Sequence, residues 1–181
     1  MNPFPFAYVD IPPAGMLSAR REAARRNAEA RVYKMRTGTN HQAGLSGALA
    51  DEVGAVCELA VSIFTGLPHR FGDAYSPTSA DVGPIEVRGR KLGSAYHDIR
   101  VYQSDLMNAH FVVGATIMEQ SNVAKVRLNG WAYMLDAWEN STPANFDPHP
   151  VKGPARWHSV TLLQPMATLH LALENYLGGN E

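Results

Sequence analysis

The chain has 181 residues, which suits one domain, or one domain with an arm. Hydrophobic residues make up 45% and charged residues 18%, the balance of a globular protein rather than a disordered one. The net charge of −1 excludes a globally basic nucleic-acid binder, so a nucleic-acid reading needs a local concentration of cations.

Residues Met1 to Gly15 carry Pro3, Pro5, Pro12 and Pro13 and are expected to form an extended arm. They lack the basic and apolar regions of a secretory signal. Ser18 offers an N-cap, and the Ala- and Arg-rich run Ala19 to Met35 predicts a helix. Its apolar positions are few (Ala23, Ala30, Val32, Met35), which fits a surface helix or one packed on a partner. Arg20, Arg21, Arg25, Arg26, Arg31, Lys34 and Arg36 outnumber Glu22 and Glu29 there. That face is either solvated or a contact for phosphates. Residues 1–40 are accordingly read as an arm with a basic helix, and residues 41–181 as the core domain.

Leu45 to Leu67 is the strongest helix, with Leu49, Val53, Val56, Ala60, Ile63 and Phe64 at helical spacing. Gly66 and Pro68 end it. Glu52 sits among the apolar residues and Glu58 lies opposite them. His69 to Ala80 is irregular. Ile85 to Arg88 reads as a short strand and Gly89 to Gly93 as a turn. Tyr96 to Gln103 alternates, with His97, Ile99 and Val101 on one face. Ser104 to Ala109 reads as a loop.

His110 to Ile117 is nearly all apolar, as expected of a central strand covered on both faces. The apolar run ends at Met118, far short of the ~20 residues of a membrane span. Val123 to Leu128 and Trp131 to Leu135 read as two strands split by Asn129-Gly130. Asp136 to Arg156 contains four prolines and is expected to be a long loop. Trp157 to Leu163 reads as a last short strand. Pro165 then opens a helix with Met166, Leu169, Leu173 and Leu177 on one face. The order predicts an α/β fold, with α+β as the alternative, built on a mixed sheet flanked by helices.

The stretch Asp81-Val82-Gly83-Pro84-Ile85-Glu86-Val87-Arg88 carries the chemistry. Gly83-Pro84 can bend the chain so that Asp81 folds back beside Glu86. Alternation places Glu86 and Arg88 on one face of the strand. Two converging carboxylates form a hard-oxygen site for Mg²⁺, with Mn²⁺ as its substitute. A cation beside them suits a phosphate, and the combination suits metal-dependent phosphodiester cleavage. A second cluster, Arg88, Arg90 and Lys91 with Arg100 following, adds candidate phosphate contacts.

These residues resemble the strand motif of the PD-(D/E)XK nuclease superfamily, and most closely its phage-encoded members. The segment Gly54-Ala55-Val56-Cys57-Glu58-Leu59-Ala60-Val61 is similar to the family's first-helix glutamate segment. Leu128-Asn129-Gly130-Trp131 and Trp157 to Met166 look like the phage subgroup. The resemblance implies a restriction-endonuclease-like core and a Mg²⁺-dependent deoxyribonuclease with Glu58, Asp81, Glu86 and Arg88 at its catalytic site. By the same likeness Asp81 and Glu86 bind the metal with the Val87 carbonyl, and Glu58 binds directly or through a water. It selects Glu58, where the helical wheel also allows Glu52. The family's usual lysine is Arg88 here. Arginine can clamp a phosphate but stays protonated, so it cannot be a general base. Arg20, Arg21, Arg25, Arg26, Arg90, Lys91 and Arg100 would hold DNA. The rival reading is a non-catalytic nucleic-acid-binding or assembly protein that keeps the fold.

Other chemistry is poorly supported. Cys57 is the only cysteine, so no intrachain disulfide forms, which fits a reducing cytoplasm. The seven histidines show no metal-ligand spacing on one helix. No Gly-rich loop for a nucleotide cofactor is present. Ser62 and Ser79 lack the turn context of a nucleophile. Asp73 competes with Asp81 as first carboxylate but lies farther from the strand. No membrane partner is expected, and self-association stays open.

Overall fold

The computed structural model describes residues 6–37, 45–69, 80–94, 98–145 and 152–179. The chain begins with β1 (Ala7–Ile11) and a long helix α1 (Pro13–Thr37), followed by α2 (Leu45–Thr65). Then come β2 (Ile85–Lys91), β3 (Ile99–Tyr102) and a short helix α3 (Asp105–Asn108). The hairpin β4 (Phe111–Gln120) and β5 (Ala124–Tyr133) leads into α4 (Met134–Glu139), β6 (Thr142–Pro143) and β7 (Ala155–His158). Two 3₁₀ turns, Val160–Leu162 and Met166–Thr168, precede α5 (Leu169–Gly178).

The main sheet has strand order β1-β5-β4-β2. β2 runs parallel to β4, while β4–β5 and β5–β1 are antiparallel. The fold is thus mixed α/β on an open sheet of mixed orientation, flanked by helices. A smaller antiparallel sheet has the order β3-β7-β6. No helix among the described residues is long and apolar enough to cross a membrane.

β4 is the central strand its composition predicts. Phe111, Val113, Ala115 and Ile117 face one apolar cluster with Val56, Ala60 and Val61 of α2, Met16 and Ala19 of α1, and Leu169 and Leu173 of α5. Val112 faces the other way, into a cluster with Ile99, Val101, Ala132, Met134 and Ala137. Helices therefore cover one face, and β3 with α4 covers the other. The predicted alternation of β3 holds at Ile99 and Val101, which are buried, and Arg100, which is exposed. Tyr96 and His97 lie outside the described residues, as do Asp73 and residues 38–44.

Several expectations are corrected. Residues 7–11 are not a free arm: they form the edge strand β1 beside β5. The first helix begins six residues early, at Pro13, because proline needs no N–H partner in the first turn. It is not a surface helix, since Met16, Ala19 and Ala23 are buried and it packs along α2. Of the expected α2 stripe, Val53, Val56 and Ala60 are buried as read. Leu49 and Ile63 are half-exposed, while Ala55, Cys57 and Val61 are buried, because α2 is sandwiched between α1 and the sheet.

The expected turn at Gly89 is strand. A Cβ at Gly89 would lie 2.8 Å from Cys57 Sγ and 3.1 Å from the Val53 carbonyl oxygen, so glycine there lets β2 approach α2. Asn129-Gly130 does not split a strand either: β5 runs through it. Gly130 has φ of +143°, and a Cβ there would lie 2.7 Å from both Gln164 O and Leu163 Cβ. Trp131 N then donates to Gln164 O (3.0 Å), and Trp131 Nε1 donates to Pro165 O (3.1 Å), which fixes this tryptophan in the core. Ser104 to Ala109 holds the short helix α3, and the expected loop 136–156 begins with α4 and includes β6. The last strand ends at His158 and is followed by a 3₁₀ turn.

Candidate functional site

Gly83-Pro84 makes a tight reversal. Val82 N donates to Ile85 O (3.0 Å) and Ile85 N donates to Val82 O (2.9 Å), with Gly83 at φ of +54°. Only a residue without a Cβ takes that φ cheaply. The register that pairs Val82 with Ile85 sets Asp81 opposite Glu86. Asp81 Oδ2 accepts a hydrogen bond from Val87 N (2.8 Å), so the carboxylate sits against the edge of β2 that does not pair with β4. A strand residue's N–H and C=O leave on the same edge, so the Val87 carbonyl faces that edge too.

Alternation along β2 then separates packing from chemistry. Ile85 and Val87 enter the cluster under α2. Glu86 and Arg88 point to the opposite face, toward β3 and α3. There the Arg88 guanidinium donates to Glu86 Oε1, to Asp105 Oδ2 and, at 2.5 Å, to the Arg100 carbonyl. Asp105 also accepts from Tyr102 N (2.8 Å). The side chains of Arg88, Glu86 and Asp105 are 16%, 9% and 5% exposed. Burial alone would lower the Arg88 pKa, but the carboxylates of Glu86, Asp105 and Asp81 hold it above its ordinary value.

The two motif carboxyls are crowded. Burial first, and the neighbouring Glu58 carboxylate next, push Asp81 up to about 6. Burial also pushes Glu86 up to about 7, helped by Asp81 and Asp105 and opposed by Arg88. Lys152 acts on both carboxyls in the opposite sense to burial. Such a cluster costs folding energy at neutral pH.

Glu58 is the buried glutamate of α2, at 3% exposure, and it stands within electrostatic reach of Asp81. Both its oxygens accept from Arg26: Nη1 to Oε1 at 2.7 Å and Nη2 to Oε2 at 2.6 Å. Glu52 instead meets Arg20 near the surface (3.2 Å). Three cations of α1, Arg20, Arg25 and Arg26, are therefore engaged within the protein. Arg25 donates to Glu22 and Glu29, and Arg26 Nε donates to Glu22 Oε1 (2.8 Å). Arg20 Nη2 also donates to the Ser121 carbonyl (2.7 Å). Arg21 is exposed on the same helix. Arg90 Nη2 donates to the Asp98 carbonyl (2.7 Å), and Lys91 is exposed at the end of β2.

The structure thus brings Asp81, Glu86 and Arg88 together, sets Glu58 within electrostatic reach of Asp81 alone, and leaves Arg20, Arg21, Arg25 and Lys91 outside that centre. Sequence reasoning missed Asp105 and Lys152, and read Arg26 as a DNA contact where it meets Glu58. Asp105 and Lys152 sit where loops were expected, and no local periodicity marks them. Lys152 is placed by a backbone link, Ser104 N donating to Lys152 O (3.2 Å). Among the described residues no group of three or more His, Cys, Asp or Glu side chains is arranged to hold a metal ion. The candidate metal donors are therefore the pair Asp81 and Glu86. Comparison of the chain with protein-family models, curated proteins and solved structures finds no match.

The crowding has a direct test in metal-free buffer. The folded protein holds protons on Asp81 and Glu86 that the unfolded chain, with ordinary carboxyls near 3.8 and 4.5, has released. Stability from these groups is present below those ordinary values and is lost as pH rises through about 6 and 7. Asp81→Asn should match the wild type in thermal melts below about pH 3.8, exceed it increasingly as pH rises to about 6, and keep that advantage above it. A constant gap across that range would show that Asp81 is not raised.

Proposed function

We propose that the protein is a Mg²⁺-dependent deoxyribonuclease of the PD-(D/E)XK type, with a restriction-endonuclease-like core and a role in phage DNA metabolism. The observation that carries this reading is the Asp81–Glu86 pair: a partly buried and a buried carboxyl set opposite each other by a Gly-Pro reversal, both raised toward neutrality. The donor set fits the group. Mg²⁺ takes one or two carboxylates and keeps several waters, so a pair with a nearby backbone carbonyl is sufficient.

Asp81 and Glu86 would hold the ion, and Glu58 would act behind Asp81 through water. Bound there, Mg²⁺ supplies positive charge to the phosphoryl group and acidifies the attacking water. Arg88 fixes the rotamer of Glu86 by a fork shared with Asp105. Its charge tempers the repulsion between the carboxylates, and its permanent protonation excludes a base role. Lys152 is the ammonium that reaches the pair from outside β2.

A second reading, a nucleic-acid-binding protein without turnover, is favoured by one observation. Arginines already engage Glu58 and Glu86, the carboxylates that would flank Asp81 at a metal. A cleavage assay separates the two. Purified protein should nick or degrade DNA with Mg²⁺ or Mn²⁺ and stop in EDTA. DNA binding with no cleavage in either metal would overturn the enzyme reading in favour of the binding one.

A further inference from the structure

The cations that reach the carboxylate pair are not those of α1. Arg20, Arg25 and Arg26 are met by Glu52, Glu22, Glu29 and Glu58. On the far side of Glu86 three cations gather on a single ring. Arg88, Arg100 and Lys152 lie 5.6, 5.6 and 5.3 Å from the centroid of Tyr102. Arg100 also lies 5.5 Å from the ring centroid of Trp157, its cross-strand partner on β7. The negative faces of these rings hold the cations where mutual repulsion would otherwise spread them. Arg88 turns inward to Glu86 and Asp105, whereas Arg100 projects from the exposed face of β3. Lys152 shares the Tyr102 ring with Arg88, Tyr102 N donates to Asp105 Oδ2, and Ser104 N donates to Lys152 O, which ties Lys152 to the Arg88 group.

We propose that Arg100 and Lys152, held by the rings of Tyr102 and Trp157, form a cradle for a backbone phosphate of DNA beside the Asp81–Glu86 pair. This rests on the nuclease reading and names the surface along which that substrate runs. A phosphate is the ligand that suits the place. A guanidinium and an ammonium converge, both bind phosphate oxygens by charge-assisted hydrogen bonds, and the centre next to them handles phosphodiesters. On this reading the strand crosses the small sheet β3-β7-β6. Tyr102 and Trp157 act as positioning residues that keep the two cations together.

The test is the salt dependence of binding to a labelled DNA duplex in EDTA, where no cleavage occurs. Arg100→Ala/Lys152→Ala should flatten the log–log slope by about 1.8, at ~0.9 per lost phosphate contact, and Lys152→Ala alone by about 0.9. Arg100→Lys/Lys152→Arg, which keeps both charges, should retain the wild-type slope. Arg20→Ala/Arg21→Ala should retain it as well. An unchanged slope in Lys152→Ala and in the double alanine variant would overturn the cradle, and so would a loss confined to the α1 variant. If either result accompanied normal Mg²⁺-dependent cleavage by the wild type, the nuclease reading would stand without the cradle. A wild type that binds no DNA would overturn both.

Discussion

Asp81→Asn should lower Mg²⁺-dependent DNA cleavage by on the order of a hundredfold to a thousandfold while leaving the fold at least as stable at pH 8. The rate loss follows from weakening a metal that contributes several kcal/mol to the transition state, at a factor of ten for each ~1.4 kcal/mol. The stability expectation follows from the pKa of Asp81, which burial and Glu58 raise to about 6. An amide removes a charge that the folded state holds at a cost, and its oxygen can still accept from Val87 N. Glu86→Gln should lose cleavage to a similar degree. Undiminished cleavage by both variants would remove this pair from the active centre.

Arg88→Ala should cost about 3–5 kcal/mol of stability, because it leaves Glu86 and Asp105 buried without their shared cation. The loss should be greatest above about pH 7, where Glu86 is ionised, and smaller at pH 5, where a proton replaces the missing arginine. Arg88→Lys should recover part of it, since an ammonium restores the charge but not the fork. Denaturant melts at the two pH values measure this. If Arg88 instead serves only as a phosphate clamp, Arg88→Ala would abolish cleavage with an unchanged unfolding midpoint.

What could be read from the sequence was local. Gly83-Pro84 announced a reversal, and the reversal sets Asp81 against Glu86 as expected. The unbroken apolar run from Phe111 predicted a strand covered on both sides, and β4 is that strand. Period-two alternation placed Glu86 with Arg88 on one face. What could not be read depends on distant segments. Arg26 counts as a surface cation on any wheel of α1 alone, and only the packing of α1 along α2 brings it to Glu58. Gly130 resembles a strand breaker until the chain at Leu163 and Gln164 is seen to pack where its side chain would lie. Lys152 and Asp105 join the centre through the link between Ser104 and Lys152, which no local pattern encodes. The family likeness chose Glu58 over Glu52, and the structure places Glu58 inside the protein and Glu52 near its surface.

On the proposed reading Asp81 and Glu86 together hold a divalent cation. Crystals soaked in Mn²⁺ and measured for anomalous scattering test it most directly. An anomalous peak should appear in contact with carboxylate oxygens of both Asp81 and Glu86 and be lost in Asp81→Asn. A peak bound elsewhere, or none at these carboxylates with Arg88 still seated on Glu86, would contradict it.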